Sequence, residues 1–143
     1  GEPALSLSDF KLRIVPIIRE YFVNEDLEEF SFSVEQLDTE LYKYELVKRC
    51  ITMSLDKADR ERQLVSTMLS EMYGSGKLTS EQIGKGFERL FELMEDLELD
   101  VPEAKGMTAN FLARAVVDEV LPPSFLADSQ VADLGGAVVD QAK

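Results

Sequence analysis

Large apolar residues recur along this chain at spacings of three and four, with polar or proline-bearing gaps between the runs. Phe10, Ile14, Ile17, Ile18, Tyr21 and Phe22 form the first stripe, behind Ser8 as a candidate N-cap. Pro16 lies inside it and predicts a kink or a restart, because proline removes a helical hydrogen bond and crowds the preceding turn. Leu27, Phe30, Val34 and Leu37 form a second stripe, with Asn24 as the candidate cap. Its centre, "FSFSV", also alternates like a strand. Leu46, Val47, Cys50, Ile51 and Leu55 predict a third helix. Leu64, Val65, Met68, Leu69, Met72 and Tyr73 predict a fourth, closed by Gly74 at C′. "TSEQ" at 79–82 is a capping box with Thr79 as N-cap and Gln82 at N3. It opens a fifth helix whose stripe of Ile83, Phe87, Leu90, Phe91, Met94 and Leu97 runs unbroken. A sixth follows Pro102, with Met107, Phe111, Leu112, Ala115, Val116 and Val120, and "LPPSFL" ends it with at most one short turn.

Taken in pairs, these helices start near residues 8, 40 and 79, with short links between partners. That spacing predicts an all-α fold, a HEAT-like repeat stack of three antiparallel helical hairpins with about six to seven helices. One domain is expected over residues 8–126. Residues 1–7 read as a linker or cloning remnant, because the chain opens on Gly1 rather than Met. Residues 127–143 lack large apolar side chains apart from Leu134 and predict a frayed tail, with at most a short helix before Gly135-Gly136.

Composition narrows the function. The chain has 143 residues, enough for one domain with a real core. Its 28 acidic against 15 basic residues leave a net charge of -13. That balance opposes non-specific binding to nucleic acid or an anionic membrane and favours a basic protein partner. There is no histidine, which removes the commonest general base and the commonest metal ligand. A single cysteine, Cys50, cannot form an internal disulfide and fits a reducing compartment. No apolar run has membrane-spanning length. A monomer is expected, and no cofactor or metal.

Few segments could carry chemistry. "YGSGKLTSEQ" resembles a phosphate loop, but the register puts Glu71 at the first glycine position and Leu78 at the hydroxyl position. It reads as an interhelical turn. Gly84 and Gly86, inside the fifth helix, read as points of close helix packing. Cys50 lies on an apolar face without a histidine to activate it and reads as a small core residue. The carboxylates lack the loop spacing of a calcium site. The remaining oddity is "EDLELDVPEAKG" at 95–106. It sets Glu95, Asp96, Glu98, Asp100 and Glu103 around what reads as the end of the fifth helix, where the macrodipole disfavours negative charge. One reading is a solvated corner in which Asp100 caps the sixth helix and Glu103 closes a capping box. The other is a binding site on which Asp96 and Asp100, four apart, project together.

Five stretches in register carry a family likeness: "PIIREYF" at 16–22, "ELVKRCITMSLD" at 45–56, "MLSEMYGSGKLTSEQIGKGFERL" at 68–90, "MEDLELDVPEAKG" at 94–106 and "FLARAVVDEVL" at 111–121. The most specific feature is Asp96-x-x-x-Asp100-x-Pro102 after an aromatic helix. Over roughly residues 9–126 the chain resembles the MA-3 domain, the HEAT-like module of translation repressors of the programmed cell death 4 type and of the initiation factor 4G scaffold. The resemblance implies a non-catalytic protein-interaction module of the cytoplasm, with the nucleus open as a second location. It implies binding to the DEAD-box RNA helicase of translation initiation, initiation factor 4A, and inhibition of its RNA binding and unwinding. The partner-contacting positions it carries over are Glu20 in the first helix, Asp56 at the end of the third, Asp96 and Asp100 at the acidic corner, and Pro102 shaping the turn. "FSFSVEQLDTEL" matches the family pattern poorly. A scaffold-type domain that recruits without inhibiting, and a structural repeat domain of an RNA-processing protein, stay open as alternatives.

Overall fold

A computed structural model describes residues 5–128 and 135–143 of the chain. Its described residues are helical and turn, with no strand among them. The helices are α1 (Leu7–Asn24), α2 (Leu27–Gln36), α3 (Lys43–Ser54), α4 (Asp59–Gly74), α5 (Ser80–Glu92), α6 (Met94–Asp100), α7 (Ala104–Val117), α8 (Ser124–Ala127) and α9 (Ala137–Ala142), with a 3-10 turn at Glu40–Tyr42 before α3. Helices α1 and α2 form one hairpin and α3 and α4 the next. Helix α3 packs on both α1 and α5, and α4 packs on α7, so the repeat units stack side by side. This is the HEAT-like all-α stack expected, and in its third part the short helix α6 touches both α5 and α7.

The predicted stripes supply the core, except that Tyr73 of the fourth is 38% exposed. Phe10, Ile14, Ile18, Leu46, Ile51, Met68, Met72, Ile83, Phe87 and Leu90 are all buried to within 1% of full. "FSFSV" is helical: Phe30 and Val34 face the core, and Phe32, which alternation would have buried with them, is 64% exposed. Tyr21 joins α1 to α4 by donating its hydroxyl to the Leu64 carbonyl at 2.8 Å. Burial pushes that phenol up to about 12, with smaller pushes from Cys50, Glu25 and Glu71.

Local signals shift in several places. Helix α1 runs continuously through Pro16 and starts two residues earlier than expected, capped by Ser6 rather than Ser8; the Ser6 hydroxyl accepts from the Asp9 N–H at 3.1 Å. The carbonyl that Pro16 leaves without a donor belongs to Leu12, whose side chain is exposed, so water can satisfy it. Asp26 rather than Asn24 caps α2; Asn24 ends α1 and accepts from the Asp26 N–H at 2.8 Å. The left-handed residue after α4 is Gly76 (φ 76°), not Gly74, which still belongs to the helix. The capping box at Thr79 and Gln82 forms with both reciprocal bonds. A helix before Gly135-Gly136 falls outside the described residues. Beyond those glycines the expected fraying does not hold: α9 packs on α7 with Val138 and Val139 buried.

Gly86 marks the closest approach of α5 to α3. A Cβ there would lie 2.6 Å from Val47 Cγ1 and 3.0 Å from the Tyr44 carbonyl oxygen. Gly84 has a softer neighbour, the Phe125 ring edge at 2.9 Å. Gly86→Ala gains up to about 1 kcal/mol in helix propensity but overpacks the interface by about 1–3 kcal/mol or more. A net loss of stability in urea unfolding is expected; a gain would mean that α3 and α5 separate freely.

Candidate functional site

The unbroken stripe of Phe87, Leu90, Phe91, Met94 and Leu97 conceals a break. At Leu93 (φ -96°, ψ 0°) the chain closes α5 with a tight bond from the Leu93 N–H to the Leu90 carbonyl and starts α6. Glu95 and Asp96 therefore stand in the first turn of a new helix, where the dipole favours carboxylates. Glu98 and Asp100, in the last turn of α6, sit at the unfavourable end. The expected crowding of acid at a helix C-terminus is corrected to this extent. The capping-box reading also fails: Asp100 ends α6, and α7 starts after Glu103 without a side-chain cap. Pro102 lies exposed in the turn between, which the Val101 carbonyl closes by accepting from Ala104 N–H at 3.0 Å.

Among the acids of this corner, Glu98 is engaged internally. Its Oε1 lies 3.1 Å from Lys105 Nζ, an ion-pair distance without hydrogen-bond alignment. Asp96 and Asp100 are exposed and make no ion pair or hydrogen bond with the described residues. Between them Leu99 is 82% exposed. A rigid helix thus displays two free carboxylates one turn apart beside a bare apolar side chain.

Asp100 also lines a groove of about 700 Å³ between the C-terminal ends of α1, α3 and α6. Asp56, in the turn after α3, lines it as well, 3.9 Å from Lys57 Nζ. Phe22, Val23, Met53, Leu97 and Val101 supply its apolar surface. The structure so brings together Asp56 and Asp100, with Asp96 one turn back along α6. It does not bring Glu20 to them. Neighbouring Arg19 and Phe22 face the groove, but Glu20 borders a separate small cleft between α1 and α2 and accepts from Asn24 Nδ2 at 3.4 Å. Arg19, Arg49 and the exposed Leu99 were not anticipated as parts of this surface. No short motif marks them, because three distant segments build the groove.

The remaining chemistry is sparse. Among the described residues no cluster of three or more metal-ligating side chains exists, and no described helix is long and apolar enough to cross a membrane. Cys50 is buried in the α3 face, 1% exposed, and burial pushes its thiol far above the ordinary value. The native domain is therefore expected to resist a maleimide until it unfolds. Rapid labelling under native conditions would show that α3 opens locally.

A stack of helical hairpins, its free charges set on helix ends and turns around a shallow groove, defines a helical-repeat domain. The MA3 domain family matches residues 10–122, and the chain belongs to that family. It is 41% identical over 128 residues to MA3 domain-containing translation regulatory factor 4 of Arabidopsis thaliana, covering 89% of this chain and 20% of that protein. It is 37% identical over 124 residues to factor 1 of the same plant, covering 87% and 18%. Programmed cell death protein 4 of Gallus gallus is 29% identical over 117 residues, covering 82% and 25%. The chain thus spans about a fifth to a quarter of the length of these relatives.

Proposed function

We propose that this domain binds the DEAD-box RNA helicase of translation initiation, initiation factor 4A, through Asp96 and Asp100, with Asp56 and Pro102 completing the surface, and inhibits its RNA binding and unwinding. The observation that carries the reading is the pair of unpartnered carboxylates one turn apart on α6. A helicase must present arginine and lysine to phosphate, and carboxylates on a rigid corner can occupy the same cations. Rigid display limits the entropy lost on binding. Glu20, which borders a different cleft, makes a separate contact in this reading.

Calorimetric titration with initiation factor 4A, wild type beside Asp96→Ala/Asp100→Ala, tests the binding, and an unwinding assay tests the inhibition. Binding by wild type only, with slowed unwinding, is the expected result. Binding without slowed unwinding would make the domain a recruiting scaffold. Absence of wild-type binding would give the domain another partner.

A further inference from the structure

The groove beside the acidic corner holds cations that the chain itself does not use. Arg19 and Arg49 both line it, and neither has a carboxylate within ion-pair distance among the described residues. Arg60, Arg62, Arg89 and Arg114 each hold an acidic partner, whereas Arg13, outside the groove, holds none among the described residues. Arg49 is half-buried, and its Nε is shielded from solvent with no hydrogen-bond acceptor. A guanidinium offers paired donors that match a carboxylate.

We infer that this groove receives a segment of a protein partner that carries a carboxylate next to apolar side chains. The carboxylate is bound by Arg19 and Arg49, and the apolar side chains lie against Phe22, Val23 and Leu97. Val23 is 78% exposed, an apolar contact waiting on the rim. Charge complementarity selects the occupant. Asp56 and Asp100 line the same groove, so a chain of phosphates such as RNA would meet more repulsion there than a single carboxylate would. The inference goes beyond the proposed helicase contact and does not require that the partner be the helicase.

The test is an NMR titration of the whole nitrogen-15-labelled chain with the peptide acetyl-Leu-Glu-Phe-Leu-amide, its glutamine counterpart, and polyuridylate RNA. The glutamate peptide is expected to give saturable shifts at the Nε–H signals of Arg19 and Arg49 and in the backbone of α6. The glutamine peptide is expected to bind roughly tenfold more weakly, the worth of one charge-assisted contact. Arg19→Gln, on the exposed face of α1, should lose most of that preference without loss of fold, and Arg49→Gln should lose it as well. Four results would overturn the inference: equal affinity for the two peptides, shifts that map outside the groove, no saturable shift, or tighter binding of polyuridylate at the arginines. Titrating the same variants with initiation factor 4A separates the two proposals. Wild-type binding unchanged in Arg19→Gln leaves the helicase reading standing and removes the groove from it.

Discussion

Replacing Lys43 with alanine is expected to lower the unfolding free energy by about 3 kcal/mol, and replacing it with methionine by about half as much. Lys43 opens α3 with its side chain only 3% exposed. Its ammonium lies 2.9 Å from Glu35 on α2, 2.7 Å from Glu40 in the 3-10 turn and 2.8 Å from the Lys77 carbonyl after α4. Three acceptors for three N–H donors satisfy the group fully, and three separate segments converge on it. The ion pairs are the smaller part of the effect, because Glu40 is 70% exposed and an exposed pair contributes little. The larger part is the buried stem, at about 0.8 kcal/mol per methylene, plus the Lys77 carbonyl left without its donor. Methionine keeps the stem and loses only the head. Urea unfolding of both variants measures the difference. Equal losses would assign the effect to the charge, and negligible losses would show that the α2–α3 junction contributes nothing to the fold.

The same ammonium predicts the pH limits. Burial pulls Lys43 down, but hydrogen bonds to Glu35 and Glu40 outweigh it and hold the group above its ordinary 10.5. A raised basic group gives stability that is fully present below the unfolded value and lost as pH rises through the folded one. The hydrogen bond from Lys43 holds Glu40 below its ordinary 4.5, against a smaller opposing effect of burial. Its contribution is present above that value and lost as pH falls through the folded one. The junction should therefore weaken above pH 10.5 and below pH 4.5 and stay constant between them.

Most of the fold is legible in the sequence because helix burial repeats every three or four residues, and this chain keeps that rule from Phe10 to Val120. What escapes is decided by contacts between distant segments. Pro16 does not break α1, since Ile14, Ile18 and Tyr21 bury on either side of it and hold the helix through the lost bond. The break at Leu93 has no glycine or proline to announce it, and the stripe continues across it in perfect spacing. Val138 and Val139 look too few to order a tail, yet α7 offers them a surface that no local pattern records. The acidic corner is legible as an anomaly of charge. Its partition into an engaged Glu98 and free Asp96 and Asp100 depends on where Lys105 falls, and the arginines of the groove come from two helices far from that corner.

Removing both free carboxylates should separate binding from folding. In Asp96→Ala/Asp100→Ala the two dipole effects oppose each other: Asp96 stands at the favourable end of α6 and Asp100 at the unfavourable one. Each is worth a few tenths to about 1 kcal/mol, so the net change in stability is expected to be small, with a melting temperature within about 2–4 °C of wild type. Affinity for the helicase is expected to fall at least roughly a hundredfold, because truncating one partner of a buried interfacial charge pair costs about 2–5 kcal/mol. Glu98→Ala supplies the contrast. Its charge is already met by Lys105, so the same loss of one acid from the same helix should leave affinity nearly unchanged. Salt gives an independent check, since wild-type affinity should drop steeply with ionic strength and the double mutant's should not. If Glu98→Ala weakened binding as much as the double mutant, net charge rather than the position of two particular carboxylates would govern the interaction. In that case the placement of Asp96 and Asp100 on α6 would carry no specificity.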